Sequence, residues 1–191
     1  NGVREGEVVA VFFGLPTPTK GLRELVQAIA RLPANLRLHI AGGEPQHPRE
    51  QEYTAHVRAA IAELKLEHRV SWSGYLDPPA VSAHLLASDI GVLPFLDGAS
   101  YRRGSLLAML AHGLPVVTTR PPAPLIPPLV DGEHALLVTS GVEAELVEAI
   151  AHLASDAALR DRLARNGHRV SEHFTWPAIA AAHSAIYHTL L

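Results

Sequence analysis

The sequence predicts an α/β fold in which helices cover both faces of a parallel sheet. Short runs of β-branched and apolar residues alternate with helical patterns of about 10 to 15 residues, an alternation typical of such sheets. The runs are apolar at nearly every position, as expected for strands that are buried on both faces. After residue 141 only helical patterns remain, which predicts a helical C-terminal tail.

Six strands and the helices between them follow from the residue patterns. Val8–Phe13 is a continuous apolar run ended by Gly14, and the other strands are predicted at 36–40, 69–73, 90–93, 115–118 and 135–138. Helical spacing predicts one buried face made of Leu22, Leu25, Val26, Ile29 and Leu32, and another made of Val57, Ala60, Ile61 and Leu64. Further helices are predicted at 79–87 and 105–112, and Gly113 suits the left-handed residue that ends a helix.

The tail contains three helical patterns. Their apolar faces are Leu146, Val147, Ile150 and Leu153, then Leu159, Leu163 and Val170, and finally the residues after Trp176 and Pro177. Pro177 is suited to the first turn of a helix. The proline-rich stretch 121–128 is predicted to be a loop or a broken turn of helix rather than a linker, because a strand pattern resumes after it.

Composition narrows the function classes. With 191 residues, 48% hydrophobic and 18% charged, the chain can bury one substantial core and is not disordered. A net charge of -3 gives no basic field for nucleic acid, and the absence of cysteine excludes disulfides, thiolate zinc sites and cysteine nucleophiles. No apolar run could span a membrane and no signal peptide opens the chain, so we expect a cytoplasmic location. The only methionine is Met109, so we expect the chain to be a fragment or to be processed at its start.

Ligands of parallel sheets bind at the carboxyl ends of the strands. The loops to search are therefore 14–20, 42–48, 74–79, 94–105 and 118–124. The first of them begins with Gly14 and ends with Lys20 at the start of a helix, where a lysine could contact phosphate together with free backbone N–H groups. An exposed lysine on a turn would give the same pattern, and the spacing is not that of a Walker A motif.

Loop 94–105 has the highest density of chemically useful residues. Arg102 and Arg103 come directly before Gly104 and Ser105, where a helix is predicted to begin. Guanidinium groups bind phosphate oxygens through two parallel hydrogen bonds, so this arrangement suits a diphosphate. A solvated surface pair remains the alternative. Gly42 and Gly43 would let a ligand approach a strand end closely, although two glycines also make an ordinary turn.

Metal and nucleophile motifs are not found. None of the 12 histidines shows the one-turn pair with a third ligand that a zinc site needs, and His84, His112, His152 and His183 lie on separate predicted helices. The sequence has no Gly-x-Ser-x-Gly elbow for a hydrolytic serine. We therefore expect no resident metal or cofactor.

Several short motifs follow one another in a recognisable order. They are Gly14 with Lys20-Gly21, LHIAGG at 38–43, VSWSGY at 70–75, ASDIGVLP at 87–94, LLAMLAHGLPVV at 106–117, Asp131-Gly132, and FTW at 174–176. With this order and spacing the chain resembles, nearly from end to end, the C-terminal donor-binding domain of group 1 (family 4) retaining glycosyltransferases with the GT-B architecture. Such a domain is Rossmann-like.

The resemblance implies a site for a nucleotide-diphosphate sugar. Lys20 would contact the diphosphate, the loop before the 105–112 helix would hold phosphate and sugar, and Gly74, Tyr75 and Leu76, beside Gly42 and Gly43, would border the base and ribose. An N-terminal domain that this chain lacks would bind the acceptor. Residues 1–174 would then form the donor domain, and 175–191 a helix that packs on the missing domain. Ile179, Ile186 and Leu190 would lack cover here, and peripheral membrane contact is compatible with this organisation.

Three positions depart from the family's pattern. The family has an arginine five residues before the lysine, where this chain has Leu15, and two glutamates eight positions apart, where it has Ser100 and Ala108. The second glutamate normally accepts hydrogen bonds from the ribose, which alanine cannot do. Asp97 imitates the start of the glutamate motif only if the loop is longer than usual, and we expect Asp97 and Ser100 near the donor sugar.

Two hypotheses follow from these departures. In the first, Arg102, Arg103 or both replace the cation that is missing at Leu15, and the donor site is active. In the second, the chain is a degenerate, non-catalytic module that keeps the fold and binds a partner or a regulatory nucleotide. The retained Lys20 and the arginine pair favour the first hypothesis.

Overall fold

The chain folds around one parallel sheet. The computed structural model describes residues 6–43, 45 and 47–189. In that part six strands pair in the order β3-β2-β1-β4-β5-β6, and every pairing is parallel. The strands are β1 Val8–Phe13, β2 Leu36–Ala41, β3 Val70–Gly74, β4 Ile90–Leu93, β5 Val116–Thr119 and β6 Leu136–Val138. The predicted fold class is confirmed, and each predicted strand lies within one residue of its place.

Seven α-helices of the described ranges connect and cover the strands. They are α1 Leu22–Arg31, α2 Pro48–Glu63, α3 Pro78–Leu86, α4 Gly104–Ala111, α5 Glu143–Ser155, α6 Ala157–Ser171 and α7 Trp176–Thr189. Short 3₁₀ turns at Pro18–Lys20 and Glu172–Phe174 precede α1 and α7. Helix α4 ends before Gly113, whose φ of 66° is left-handed as predicted.

The hydrophobic core lies between the sheet and its helices. The predicted face of α1 is buried against α2 and α5, and β1 is fully buried at Ala10, Val11 and Phe12. The predicted face of α2 was partly wrong. Val57 and Ile61 are buried, but Leu64 is 40% exposed because the helix ends at Glu63 and the chain turns away there.

The tail helix α7 packs little of its surface. It has no buried residue, and Trp176, Ile186 and Tyr187 are strongly exposed. The predicted exposure of Ile186 is confirmed, Ile179 is half-buried, and Leu190 lies outside the described residues. None of the helices in the described ranges is long and apolar enough to cross a membrane.

The strand order determines where a ligand can bind. From β1 the chain builds the sheet outward through β2 and β3, and it then returns to place β4 on the other side of β1. The order therefore reverses between β1 and β4, and such reversals leave a crevice at the carboxyl ends of the two strands. The loops that follow these strands, 14–21 and 94–103, contain Lys20 and the arginine pair.

Candidate functional site

Two glycines, Gly14 and Gly42, allow the ends of β1 and β2 to approach each other. Gly14 has a φ of 119°, and its N–H donates to Ala41 O at 2.9 Å. A β-carbon on Gly42 would collide with the carbonyl oxygen of Gly14, and a β-carbon on Gly14 would collide with Nζ of Lys20. The ends of β1 and β2 therefore meet in a surface that side chains at 14 or 42 would fill.

Lys20 is held at this surface by a short turn. Pro18 starts the 3₁₀ turn, the N–H of Lys20 donates to Thr17 O at 3.0 Å, and Gly21 follows with a φ of 67°. A β-carbon on Gly21 would collide with the carbonyl of Pro94. The loop after β1 thus packs directly on the loop after β4. The N–H of Leu96, which donates to Thr19 O at 2.8 Å, adds a second link between the two loops.

Burial and two neighbouring charges change the pKa of Lys20. Burial lowers the pKa of its ammonium group, the positive charge of Arg103 lowers it further, and the carboxylate of Glu50 raises it. Two cations that repel each other in this way create a place where an anion is stabilised. Of the residues proposed from sequence, Lys20 and Arg103 are therefore brought together.

Arg103 is fixed by two contacts. Its guanidinium carbon lies 4.3 Å from the centre of the buried Phe95 ring, and Nη2 donates to both carboxylate oxygens of Asp97. The stack and the ion pair fix the plane of the guanidinium group. Phe95 was not predicted as a site residue. The signal that could have found it is an aromatic side chain in a candidate loop, just after a buried strand.

Arg102 has different surroundings. It is exposed, and its guanidinium has no hydrogen-bond partner in the described part of the chain, while its backbone N–H donates to Ser100 Oγ at 3.3 Å. It lines a cavity of about 280 Å³ with Asp97, Ser100 and Arg103 on one wall and residues 122–125 on the other. Both neighbouring arginines therefore line this cavity, but Arg103 is paired with Asp97 and acts on Lys20, whereas the Arg102 side chain has no partner in the described part of the chain.

The first turn of α4 faces the same surface. Arg103 is the N-cap residue of the helix, and no side chain among the described residues caps it. Ser105 is buried, with its β-carbon 3.9 Å from the place where a Gly14 side chain would begin, whereas Gly104 has open space around it. Uncapped N–H groups at a helix start favour an anion, so the helix adds to the field of Lys20 and Arg103.

The residues predicted near the base form a neighbouring group. Gly42 pairs with Gly74 across the ends of β2 and β3, and Trp72 Nε1 donates to Gly42 O at 3.0 Å. The Tyr75 side chain lies 3.4 Å from where a β-carbon on Gly43 would be, and the residue is 83% exposed. Leu76, also predicted here, is half-buried at the edge of the core. The exposed ring of Tyr75, beside the glycines at the end of β2, can stack on a planar ligand.

Two positions that depart from the family's pattern supply no polar side chain to the site. Leu15 is 47% exposed and Ala108 is half-buried, so neither supplies a charge or an acceptor side chain. The nearby carboxylate of Asp97 is bonded to Arg103. Within the described ranges no group of three His, Asp or Glu side chains could hold a metal ion.

Comparison with known proteins identifies the family. The family described as "Glycosyl transferases group 1" matches residues 7–156. The chain belongs to this family. It is 32% identical over 196 residues to the MMP alpha-(1->4)-mannosyltransferase of Mycolicibacterium hassiacum, an alignment that covers 96% of this chain and 44% of that enzyme. The chain thus spans less than half the length of this curated relative.

Solved structures agree on the fold. The HepE protein of Anabaena, crystallised with UDP and glucose, superposes with a TM-score of 0.81 at 22% identity, over 97% of this chain and 48% of that one. The C-terminal domain of the group 1 glycosyl transferase LpcC from Francisella tularensis superposes with a TM-score of 0.75 at 22% identity, over 88% of this chain and 87% of that one. The predicted family is confirmed.

Proposed function

We propose that this chain is the donor-binding domain of a glycosyltransferase and holds a nucleoside-diphosphate sugar. The observation that carries the proposal is the packing of the loop after β1 on the loop after β4, where Gly21 lies against Pro94 and the N–H of Leu96 donates to Thr19 O. This packing places Lys20 close enough to Arg103 for the arginine to lower the pKa of the lysine. Lys20, the start of α4 and the Nε and Nη1 donors that Arg103 does not give to Asp97 can bind a diphosphate there, and Arg103 stands in for the arginine missing at Leu15. The family supports the same assignment.

The chemistry follows from where charge develops. Breaking the bond between the sugar and the diphosphate leaves negative charge on the diphosphate, and fixed cations stabilise it without reorganisation. Phe95 and Asp97 fix the guanidinium of Arg103, and the turn at 18–20 fixes Lys20. These protein cations take the role that a metal would otherwise play. Transfer would require the acceptor domain and would proceed with retention of configuration.

A diphosphate held at Lys20 and Arg103 would place the nucleoside and the sugar on different parts of the surface. The nucleoside would extend over Gly42 and Gly43 toward Gly74 and Tyr75, and the sugar would extend toward Asp97 and Ser100. The crystal structures of HepE with UDP and glucose and with UDP-glucose support a nucleotide sugar as the ligand class. A cytoplasmic location and an N-terminal acceptor domain are further parts of the proposal.

Calorimetric titration of this chain with UDP, GDP and ADP tests the proposal. We expect one of the three to bind at micromolar concentration, with equal affinity in the presence of EDTA, and more weakly to Lys20→Ala. If none of them binds, the degenerate module is the better account, and the missing carboxylates at Ser100 and Ala108 are its structural basis.

A further inference from the structure

Arg102 is not used by the proposed diphosphate site. It comes directly before Arg103 in sequence, yet it lies in the cavity between the β4–α4 loop and residues 122–125. The volume of about 280 Å³ is close to the lower limit of roughly 300 Å³ seen for small-molecule sites, and it suits a group the size of one sugar ring.

The charges around this cavity do not cancel. Asp97 and Arg103 pair with each other, so the full charge of Arg102 remains. The opposite wall is Pro122, Ala123, Pro124 and Leu125, which carries no ionisable side chain and whose two prolines have no N–H to donate. The polar character of the cavity is therefore concentrated on one wall, around an arginine that has no protein partner among the residues described.

Arg103 links this cavity to the diphosphate site. It lines the cavity, and its charge also acts on Lys20. Because the transferred sugar is bonded directly to the diphosphate, a sugar on a diphosphate held between Lys20 and Arg103 would lie within reach of the cavity. An acceptor group reacts with the sugar carbon that is bonded to the diphosphate, so an anion carried by the acceptor would also lie near the cavity.

We propose that this cavity is a second anion subsite, in which Arg102 binds a carboxylate or phosphate carried by the transferred sugar or by the acceptor. The inference rests on the proposed function, since it assigns the substrate class of that site. Guanidinium binds either group through two parallel hydrogen bonds, which an ammonium group cannot reproduce.

Binding measurements on Arg102→Ala and Arg102→Lys test the subsite, with Arg165→Ala as the matched control. Arg165 is an exposed arginine on α6 that lies outside the cavity. The first arm titrates UDP, UDP-glucose and UDP-glucuronic acid, or GDP, GDP-mannose and GDP-mannuronic acid if the chain binds GDP. The second arm titrates inorganic phosphate into protein with and without saturating nucleoside diphosphate.

Each source of the anion has its own outcome. A carboxylate on the sugar predicts that the uronic acid donor binds about tenfold tighter than the neutral one and that Arg102→Ala abolishes the difference. An acceptor phosphate predicts that inorganic phosphate binds beside the bound nucleotide and is lost in Arg102→Ala. In both cases Arg102→Lys retains only part of the effect. Arg165→Ala binds each ligand as wild type does, and the Arg102 variants keep the wild-type affinity for the nucleoside diphosphate.

The subsite and the proposed function can fail separately. If the nucleoside diphosphate binds but neither anion depends on Arg102, the subsite is wrong and the donor site stands. If no nucleotide binds, the titration of inorganic phosphate into nucleotide-free protein still tests the subsite. Phosphate binding that is lost in Arg102→Ala supports the subsite, and phosphate binding that does not depend on Arg102, or no phosphate binding, overturns it.

Discussion

The amino group of Lys20 occupies the space that a side chain on residue 14 would need. Gly14 is therefore required twice, once for its φ of 119° and once for the position of the lysine. The end of β1 and the turn before α1 form one unit, and any side chain at 14 displaces the cation next to Arg103.

We expect Gly14→Ala to weaken nucleoside-diphosphate binding by at least about tenfold, because Lys20 must move. Backbone strain should also lower the free energy of unfolding by about 1–3 kcal/mol. Gly113→Ala is the control, since it introduces strain at a φ of 66° with open space around it. It should lower stability while leaving affinity intact. Equal affinity of Gly14→Ala and wild type would show that the position of Lys20 is unimportant.

Lys20 should give nucleotide binding a pH dependence. Its pKa in the free domain is lowered by burial and by Arg103, and a bound diphosphate raises it again, so binding takes up a proton when the free lysine is neutral. Affinity should therefore fall as the pH rises, starting below the ordinary lysine value of 10.5. Calorimetry between about pH 7 and 9.5 measures the slope.

The matched variants isolate this contribution. Lys20→Ala should lose about 1.5–3 kcal/mol of binding free energy at neutral pH, together with most of the pH slope. Lys65→Asn removes the other lysine, which has a φ of 55° that asparagine tolerates, and it should change neither quantity. A slope that persists in Lys20→Ala would assign the titration to another group.

Most of the fold could be predicted because buried parallel strands are continuous apolar runs, as at Val8–Phe13. The start of α2 could not, since the first half of Pro48–Glu63 is polar and presents no apolar face. What marks its beginning is Pro48 in the first turn and His47, whose ring nitrogen accepts from the N–H of Arg49 at 3.3 Å. Histidine is not among the residues that usually signal a helix start.

For the candidate site, the sequence predicts which loops lie together but not which side chains meet. Strand ends and glycines place Gly14, Lys20, Gly42 and the arginine pair at one edge of the sheet. Which arginine faces Lys20 depends on the packing of Gly21 against Pro94 and on the Phe95 stack, both of which are contacts between loops distant in sequence. Periodicity carries no information on such contacts.

The two arginines should behave differently when each is replaced by lysine. Arg103→Lys keeps the charge but loses the stack on Phe95 and the shared contact with Asp97, so nucleoside-diphosphate affinity should fall by about tenfold. Arg102→Lys should bind the nucleoside diphosphate as well as wild type does. Calorimetry on both variants checks this, and the reverse order would assign the diphosphate to Arg102.

His39 should make folding stability depend on acid pH. Its ring is buried in β2, stacks on His84 with centroids 4.6 Å apart, and bonds to Ser71 Oγ at 2.9 Å through Nδ1. Nε2 is buried without a partner in the part of the chain that is described. Burial, and then the neighbouring His84, lower the pKa of His39 to about 4. Protonation of the His39 ring is therefore unfavourable in the folded state.

The sign follows from linkage. Between pH 6.5 and about 4 the unfolded chain binds a proton at His39 and the folded chain does not, so stability is lost as the pH falls through that window. The full loss would be roughly 3 kcal/mol. Denaturant unfolding at several pH values should show a smaller acid loss in His39→Phe, which keeps a ring against His84 but cannot titrate. His183→Gln, a replacement on exposed α7, should follow wild type. If His39→Phe loses stability with acid as steeply as wild type, the buried ring is not the source of the pH dependence.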